Sequence, residues 1–122
     1  MTQPWSIYTP AELAELAAEA SPLTHNRERR CPTCGHTAVR RYLHEHQGSR
    51  RSVNMAYTWC HRCRRYTSST GPSLAGTYRF DDPADELARL RRLRETDLPG
   101  LLDHLDQLWT EGVLPQRFER RG

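Results

Sequence analysis

Apolar residues recur along this chain with two periods, and the change of period divides it into helical ends around an extended middle. In "YTPAELAELAAEAS", Leu13, Leu16, Ala17 and Ala20 fall on one narrow helical stripe, while Glu12, Glu15 and Glu19 turn to water. Thr9, followed by Pro10 and by Glu12, is a capping box with proline in the first helical position. Tyr8 and Leu13 occupy the staple positions around that cap, and Ser21-Pro22 ends the helix.

From residue 37 the period shortens to two. Residues 37–46 and 51–59, joined at "QGSR", are rich in β-branched and aromatic residues, among them Val39, Tyr42, Val53, Tyr57, Thr58 and Trp59, and predict two strands. In the second, Val53, Met55, Tyr57 and Trp59 alternate with Ser52, Asn54, Ala56 and Thr58, as in a half-buried antiparallel sheet. A third strand is expected at 65–69. After the turn-rich "SSTGPSLAG", "TYRF" reads as a short fourth strand or an extended arm.

The helical period then returns. Asp82-Pro83 predicts the start of a helix carrying Leu87, Leu90 and Leu93, with Asp82 as its N-cap. Thr96 or Asp97 opens another, with Pro99 tolerated in its first turn. Leu98, Leu101, Leu102, Leu105, Leu108 and Trp109 form its apolar stripe, Gly112 stops it and Pro115 lies just beyond. The expected fold is α+β: a three-stranded antiparallel zinc ribbon, a preceding helix and a C-terminal helical hairpin. The helix and its lead-in occupy 1–30, the ribbon 31–70, and the connection and hairpin 71–122, packed together as one domain.

Composition changes this picture in two ways. At 122 residues and 36% hydrophobic content the core is modest, so a metal staple would help it. No run approaches the roughly 20 apolar residues of a membrane span, and "MTQPWSIYTP" lacks a basic segment followed by an apolar run. A cytoplasmic protein with reduced thiols is expected, where four cysteines favour a metal over disulfides.

Charge is unevenly spread. The chain carries a net +3 overall, but residues 27–65 hold ten arginines against Glu28 and Glu45, a local excess of +8. All eighteen basic residues are arginine. Zn²⁺ with four thiolates carries −2, which lowers the local excess to +6; Arg62 and Arg64 are placed to screen such a cluster.

The four cysteines stand as Cys31-x-x-Cys34 and Cys60-x-x-Cys63, separated by 25 residues. Each pair forms a knuckle that aims two sulfurs at one ion, and the intervening hairpin brings the knuckles together. Four thiolates in a closed tetrahedron describe one structural zinc site. Gly35 follows the first knuckle where positive φ is wanted; Arg64 takes that place in the second, at some strain. Neither pair opens a helix in a βαβ context, as a redox dithiol would. Rubredoxin-type iron also takes four thiolates, but its second knuckle usually carries glycine.

"CPTCG", the hairpin and "YTWCHRCRRY" resemble the zinc ribbons of transcript-cleavage elongation factors and small RNA polymerase subunits, over residues 31 to about 70. In the elongation factors an acidic pair at the hairpin tip reaches the polymerase active centre. Here the tip reads "HQGSRRSV", with Arg50 and Arg51 where acids would be wanted. The resemblance therefore implies a ribbon fold and a class of partners, not cleavage.

Other candidates carry less. His36 and His61 beside the knuckles read as surface or supporting residues, and His44 and His46 as exposed histidines without further ligands. Ser68 and Ser69 have no visible base, Asp81 and Asp82 look catalytic only out of context, "RRLRE" reads as a solvated helix face and Trp109 as core. No phosphate loop, nucleophile elbow or His-Glu-x-x-His is present, so no enzymatic activity is expected. The expected function is binding of nucleic acid or the transcription machinery. Arg40, Arg41, Arg50, Arg51 and Arg65 would contact phosphates, and Tyr42 or Tyr57 would stack on bases. The alternative is a protein-interaction module (an adaptor, antitoxin or immunity-type inhibitor) with purely structural zinc, favoured by the acidic flanks and the added helices.

Overall fold

The chain enters as a two-residue strand, β1 (Ser6–Ile7), and turns at once into helix α1 (Pro10–Ala18). In this computed structural model, which describes residues 3–19, 22–83 and 87–122, the capping box closes. Thr9 Oγ1 accepts from the Glu12 N–H at 3.2 Å, and the Glu12 carboxylate accepts from the Thr9 N–H at 2.8 Å. Tyr8 and Leu16 are buried, with Leu13 packed against them. Ala20 and Ser21, assigned above to the stripe and the helix stop, lie outside the described residues.

A 3-10 turn (Leu23–His25) leads into a second two-residue strand, β2 (Arg29–Arg30). Three longer strands follow: β3 (Thr37–Gln47), β4 (Ser52–Cys60) and β5 (Arg65–Pro72). β3 and β4 pair antiparallel with Arg40 opposite Trp59, Tyr42 opposite Tyr57 and His44 opposite Met55. Side chains alternate across a strand, so this register gathers those six residues on one face of the sheet.

The fold is not the three-stranded antiparallel ribbon expected. β1 adds in parallel to the outer side of β5, and β2 adds antiparallel to β3, giving a five-stranded mixed sheet in the order β1-β5-β4-β3-β2. A separate two-stranded sheet pairs β6 (Tyr78–Phe80) with β7 (Phe118–Arg120). The reason is length. Strands of two or three residues carry no readable alternation, and their pairing comes from distant parts of the chain. "TYRF" does form a strand, but its partner is the far end of the protein, with the Phe80 and Phe118 rings stacked at 4.8 Å.

Helices α2 (Leu87–Thr96) and α3 (Leu98–Thr110) meet at Asp97, whose carboxylate accepts from the Gly100 N–H at 3.0 Å. The residues leading into α2, including Asp85 and Glu86, are outside the described set. Asp82, read as the cap of that helix, holds its carboxylate against Tyr42 Oη at 2.6 Å and His44 Nδ1 at 2.9 Å. α3 ends at Gly112, where φ is +82°. The Gly112 N–H bonds the Trp109 carbonyl at 3.1 Å and the Val113 N–H bonds the Leu108 carbonyl at 2.9 Å, a Schellman closure that glycine permits.

The helical hairpin covers the aromatic face of the sheet. Leu90, Leu101, Leu102, Leu105, Leu108 and Leu114 are buried against Tyr42, Tyr57 and Trp59. Each such side chain contributes roughly 1.5–3 kcal/mol on burial. This contact, more than helix propensity, holds two short helices in place. No helix among the described residues is long and apolar enough to cross a membrane.

Candidate metal centre and the arginines around it

The two knuckles share one backbone geometry. The Gly35 N–H donates to the Cys31 carbonyl at 2.8 Å, and the Arg64 N–H donates to the Cys60 carbonyl at 3.0 Å. Both donors have positive φ, +76° for Gly35 and +58° for Arg64. The β3–β4 register sets Val39 opposite Cys60, so the hairpin returns the second knuckle to the first. All four sulfurs lie within 4.8 Å of one another.

Cys31 and Cys63 are 3.6 Å apart at sulfur, Cys34 and Cys60 3.7 Å. A tetrahedron with metal–sulfur arms of about 2.3 Å has an edge of about 3.8 Å. These two edges match a tetrahedral ion, and both lie well beyond the roughly 2.05 Å of a disulfide. The four cysteines fit a metal ion, and among the described residues they form the one such cluster. Cys31 and Cys60 are buried, Cys34 and Cys63 half-buried.

A tyrosine completes the surroundings. Tyr8 Oη lies 3.1 Å from Cys31 Sγ in the buried interior. Burial opposes ionisation of Cys31, but bonds from Tyr8 and from the Cys34 and Thr33 backbone bring its thiol down to about 7. Burial pushes Cys60 up to about 11 and raises Cys63 as well. Without an ion the cluster resists carrying four negative charges, so an entering metal displaces protons. Tyr8 was legible as a staple residue but not as a hydrogen-bond partner of sulfur; a hydroxyl at a position that asks only for an apolar contact was the available signal.

The arginines of this region separate into two groups. Arg40, its side chain 11% exposed, bridges Glu28 at 3.3 Å and Asp106 at 2.9 Å, and its guanidinium lies 5.4 Å from the Trp109 ring centroid. Arg64 bonds Asp103 at 2.7 Å and stacks 4.1 Å above Trp5. Its charge is engaged by that carboxylate and ring. Arg41 bonds Asn26 at 2.7 Å and is half-buried, and Arg65 donates to the Ile7 carbonyl at 3.2 Å. Arg50 and Arg51, in the turn between β3 and β4, are exposed and bond no carboxylate among the described residues.

Neither tyrosine offers a face to a base. Tyr42 and Tyr57 are 2% and 3% exposed, stacked on each other beneath α2 and α3. Burial, followed by the Asp82 charge, raises the Tyr42 hydroxyl above its ordinary range. The histidines also differ from expectation. His44 and His46 are half-buried rather than exposed, His44 bonded to Asp82 and His46 Nδ1 lying 3.5 Å from Arg94. His61 approaches Glu28 at 3.6 Å, and His36 is exposed.

Two carboxylates one turn apart on α3 organise the whole contact, and sequence reasoning missed them. Asp106 accepts from the Trp59 indole at 2.8 Å and from Arg40; Asp103 accepts from the Trp5 indole at 3.0 Å and from Arg64. Each thus receives one indole and one arginine, fastening α3 to the sheet and to the lead-in segment. Acidic residues bordering the apolar stripe of α3, facing a segment rich in arginine, were the signal.

Compared with models of known protein families, with curated proteins and with solved structures, the chain matches none.

Proposed function

We propose that this protein is a non-enzymatic, zinc-stabilised nucleic-acid-binding module that engages the phosphate backbone through the tip of the β3–β4 hairpin. The observation that carries this reading is the pair Arg50 and Arg51, exposed in a turn that contains no acidic residue. Zinc is the ion best suited to four thiolates in a closed tetrahedron. With Tyr42 and Tyr57 enclosed, no stacking platform is part of the proposal, and binding is directed at phosphates rather than base faces.

The test is fluorescence anisotropy of the zinc-loaded protein against single- and double-stranded DNA and RNA across a salt series. Phosphate contacts release counterions, so log affinity should fall linearly with log salt, with a slope near −0.9 per phosphate contacted on duplex DNA. Absence of binding to all of these at low salt would remove the reading.

A second reading has one observation in its favour. β5 is paired with β1 only at Arg65 and Tyr66, so its outer edge from Thr67 to Pro72 has no strand beside it among the described residues. An extended peptide could add there. A protein partner held by apolar anchors and backbone pairing would show a much weaker salt dependence.

A further inference from the structure

The sheet has a second face, opposite α2 and α3, and its chemistry differs from the first. The register sets Arg41 opposite Thr58 and Thr58 opposite Thr67, so these three form one row across three strands. Arg29 sits opposite Val39, which puts it on the same face beside Arg41. Ser69 follows Thr67 at the next position on that face. Leu13, Leu16 and Ala17 of α1 form one wall, and together these residues line an open groove of about 350 Å³.

The two guanidiniums in this groove make no close ion pair among the described residues. No carboxylate among the described residues comes within 4.0 Å of either. Their partners are neutral: Arg29 donates to the Leu16 carbonyl at 3.3 Å, and Arg41 to Asn26 Oδ1 at 2.7 Å and the Pro22 carbonyl at 3.4 Å. Burial is the first cause that lowers the Arg41 guanidinium, to about 10, and the neighbouring charge of Arg29 is the next. Glu19 acts on Arg29 from longer range. Half-burying two like charges side by side is unfavourable unless something compensates them. This chain compensates Arg40 and Arg64 with aspartates; here it supplies hydroxyls and space.

We propose that the groove is a binding site for a phosphate group, with Arg29 and Arg41 forked onto its oxygens and Thr58, Thr67 and Ser69 donating to those that remain. A dianion matches two guanidiniums in charge, and its oxygens can accept more donors than a carboxylate can. The groove has room beyond the anion itself, so a small organic group attached to the phosphate would lie against Leu13, Leu16 and Ala17. The site is separate from Arg50 and Arg51 and does not depend on nucleic-acid binding at the tip.

The experiment is thermal unfolding and ³¹P NMR titration of the zinc-loaded full chain with inorganic phosphate, against sodium chloride at equal ionic strength. A second arm uses a nucleoside 5′-monophosphate. A saturable rise in Tm with phosphate but not with chloride is expected. Arg41→Gln should weaken phosphate binding by about tenfold or more. Thr67→Val, at a half-exposed position, should weaken it several-fold and serves if Arg41→Gln fails to fold. Tighter binding of the monophosphate would assign the site to an organic phosphate ester; equal binding would assign it to free phosphate. No saturable phosphate effect, or one unchanged in both folded variants, would overturn the proposal.

Discussion

The two ends of the β3–β4 hairpin carry the same residue type under opposite conditions. At the knuckle end, Arg40 and Arg64 are each held by an aspartate of α3 and an aromatic ring, beside two cysteine pairs whose sulfurs converge. At the tip, Arg50 and Arg51 project into solvent with no carboxylate partner among the described residues. Arginines dense enough to suggest one basic surface therefore differ between the two ends of the hairpin. Arg40 and Arg64 build the molecule, and Arg50 and Arg51 are free to meet something else.

The largest test of this contrast falls on the knuckles. Structural zinc contributes about 10–16 kcal/mol in small metal modules, comparable to or above the 5–15 kcal/mol total stability of an ordinary domain. Cys60→Ala should therefore abolish the near-UV signal of Trp59 and the protease resistance of the β3–β4 hairpin. Chelation of the wild-type protein should do the same. Retention of both signals in Cys60→Ala would mean that the packing of α2 and α3 alone carries the fold.

Arg40→Ala should come next. It leaves Asp106 and Glu28 without their shared cation. The cost should be near 3 kcal/mol, the low end for broken buried pairs, because both carboxylates keep some access to water. Urea unfolding with an unchanged m-value would measure it. A smaller and more local effect belongs to Arg64. Arg64→Gly and Arg64→Ala both lose the Asp103 bond and the Trp5 contact, but only glycine relaxes the positive φ. The glycine variant should be the more stable of the two by about 1 kcal/mol. Equal stabilities would show that the knuckle backbone shifts to suit alanine.

Much of the local structure was legible because its signals are local. The capping box at Thr9 and Glu12, the spacing of the cysteines and the leucine stripe of α3 each lie within a few residues of one another. What escaped depended on distant partners. β1 and β2 are two residues long and exist because β5 and β3 offer open edges beside them. Tyr42 and Tyr57 were read as available aromatics, although the apolar stripe of α3 needed a face to cover and theirs was the aromatic one. Arg40 looked like its neighbour Arg41, yet alternation sends them to opposite faces. One meets Asp106 beneath the helices, and the other enters the groove beside α1. Asp103 and Asp106 border the apolar stripe of α3, but their indole partners, Trp5 and Trp59, lie far away in the chain.

The most direct test of the division between structural and free arginines is a paired measurement on Arg50→Ala/Arg51→Ala. Its Tm and its nucleic-acid affinity would be read in the same buffer across a salt series. Exposed substitutions away from packing change stability by no more than about 0.5 kcal/mol, so Tm should stay close to wild type. Affinity should fall, and the salt slope should shrink by roughly two. An unchanged affinity with a lowered Tm would contradict the account, since the tip would then be holding the fold and the binding surface would lie elsewhere.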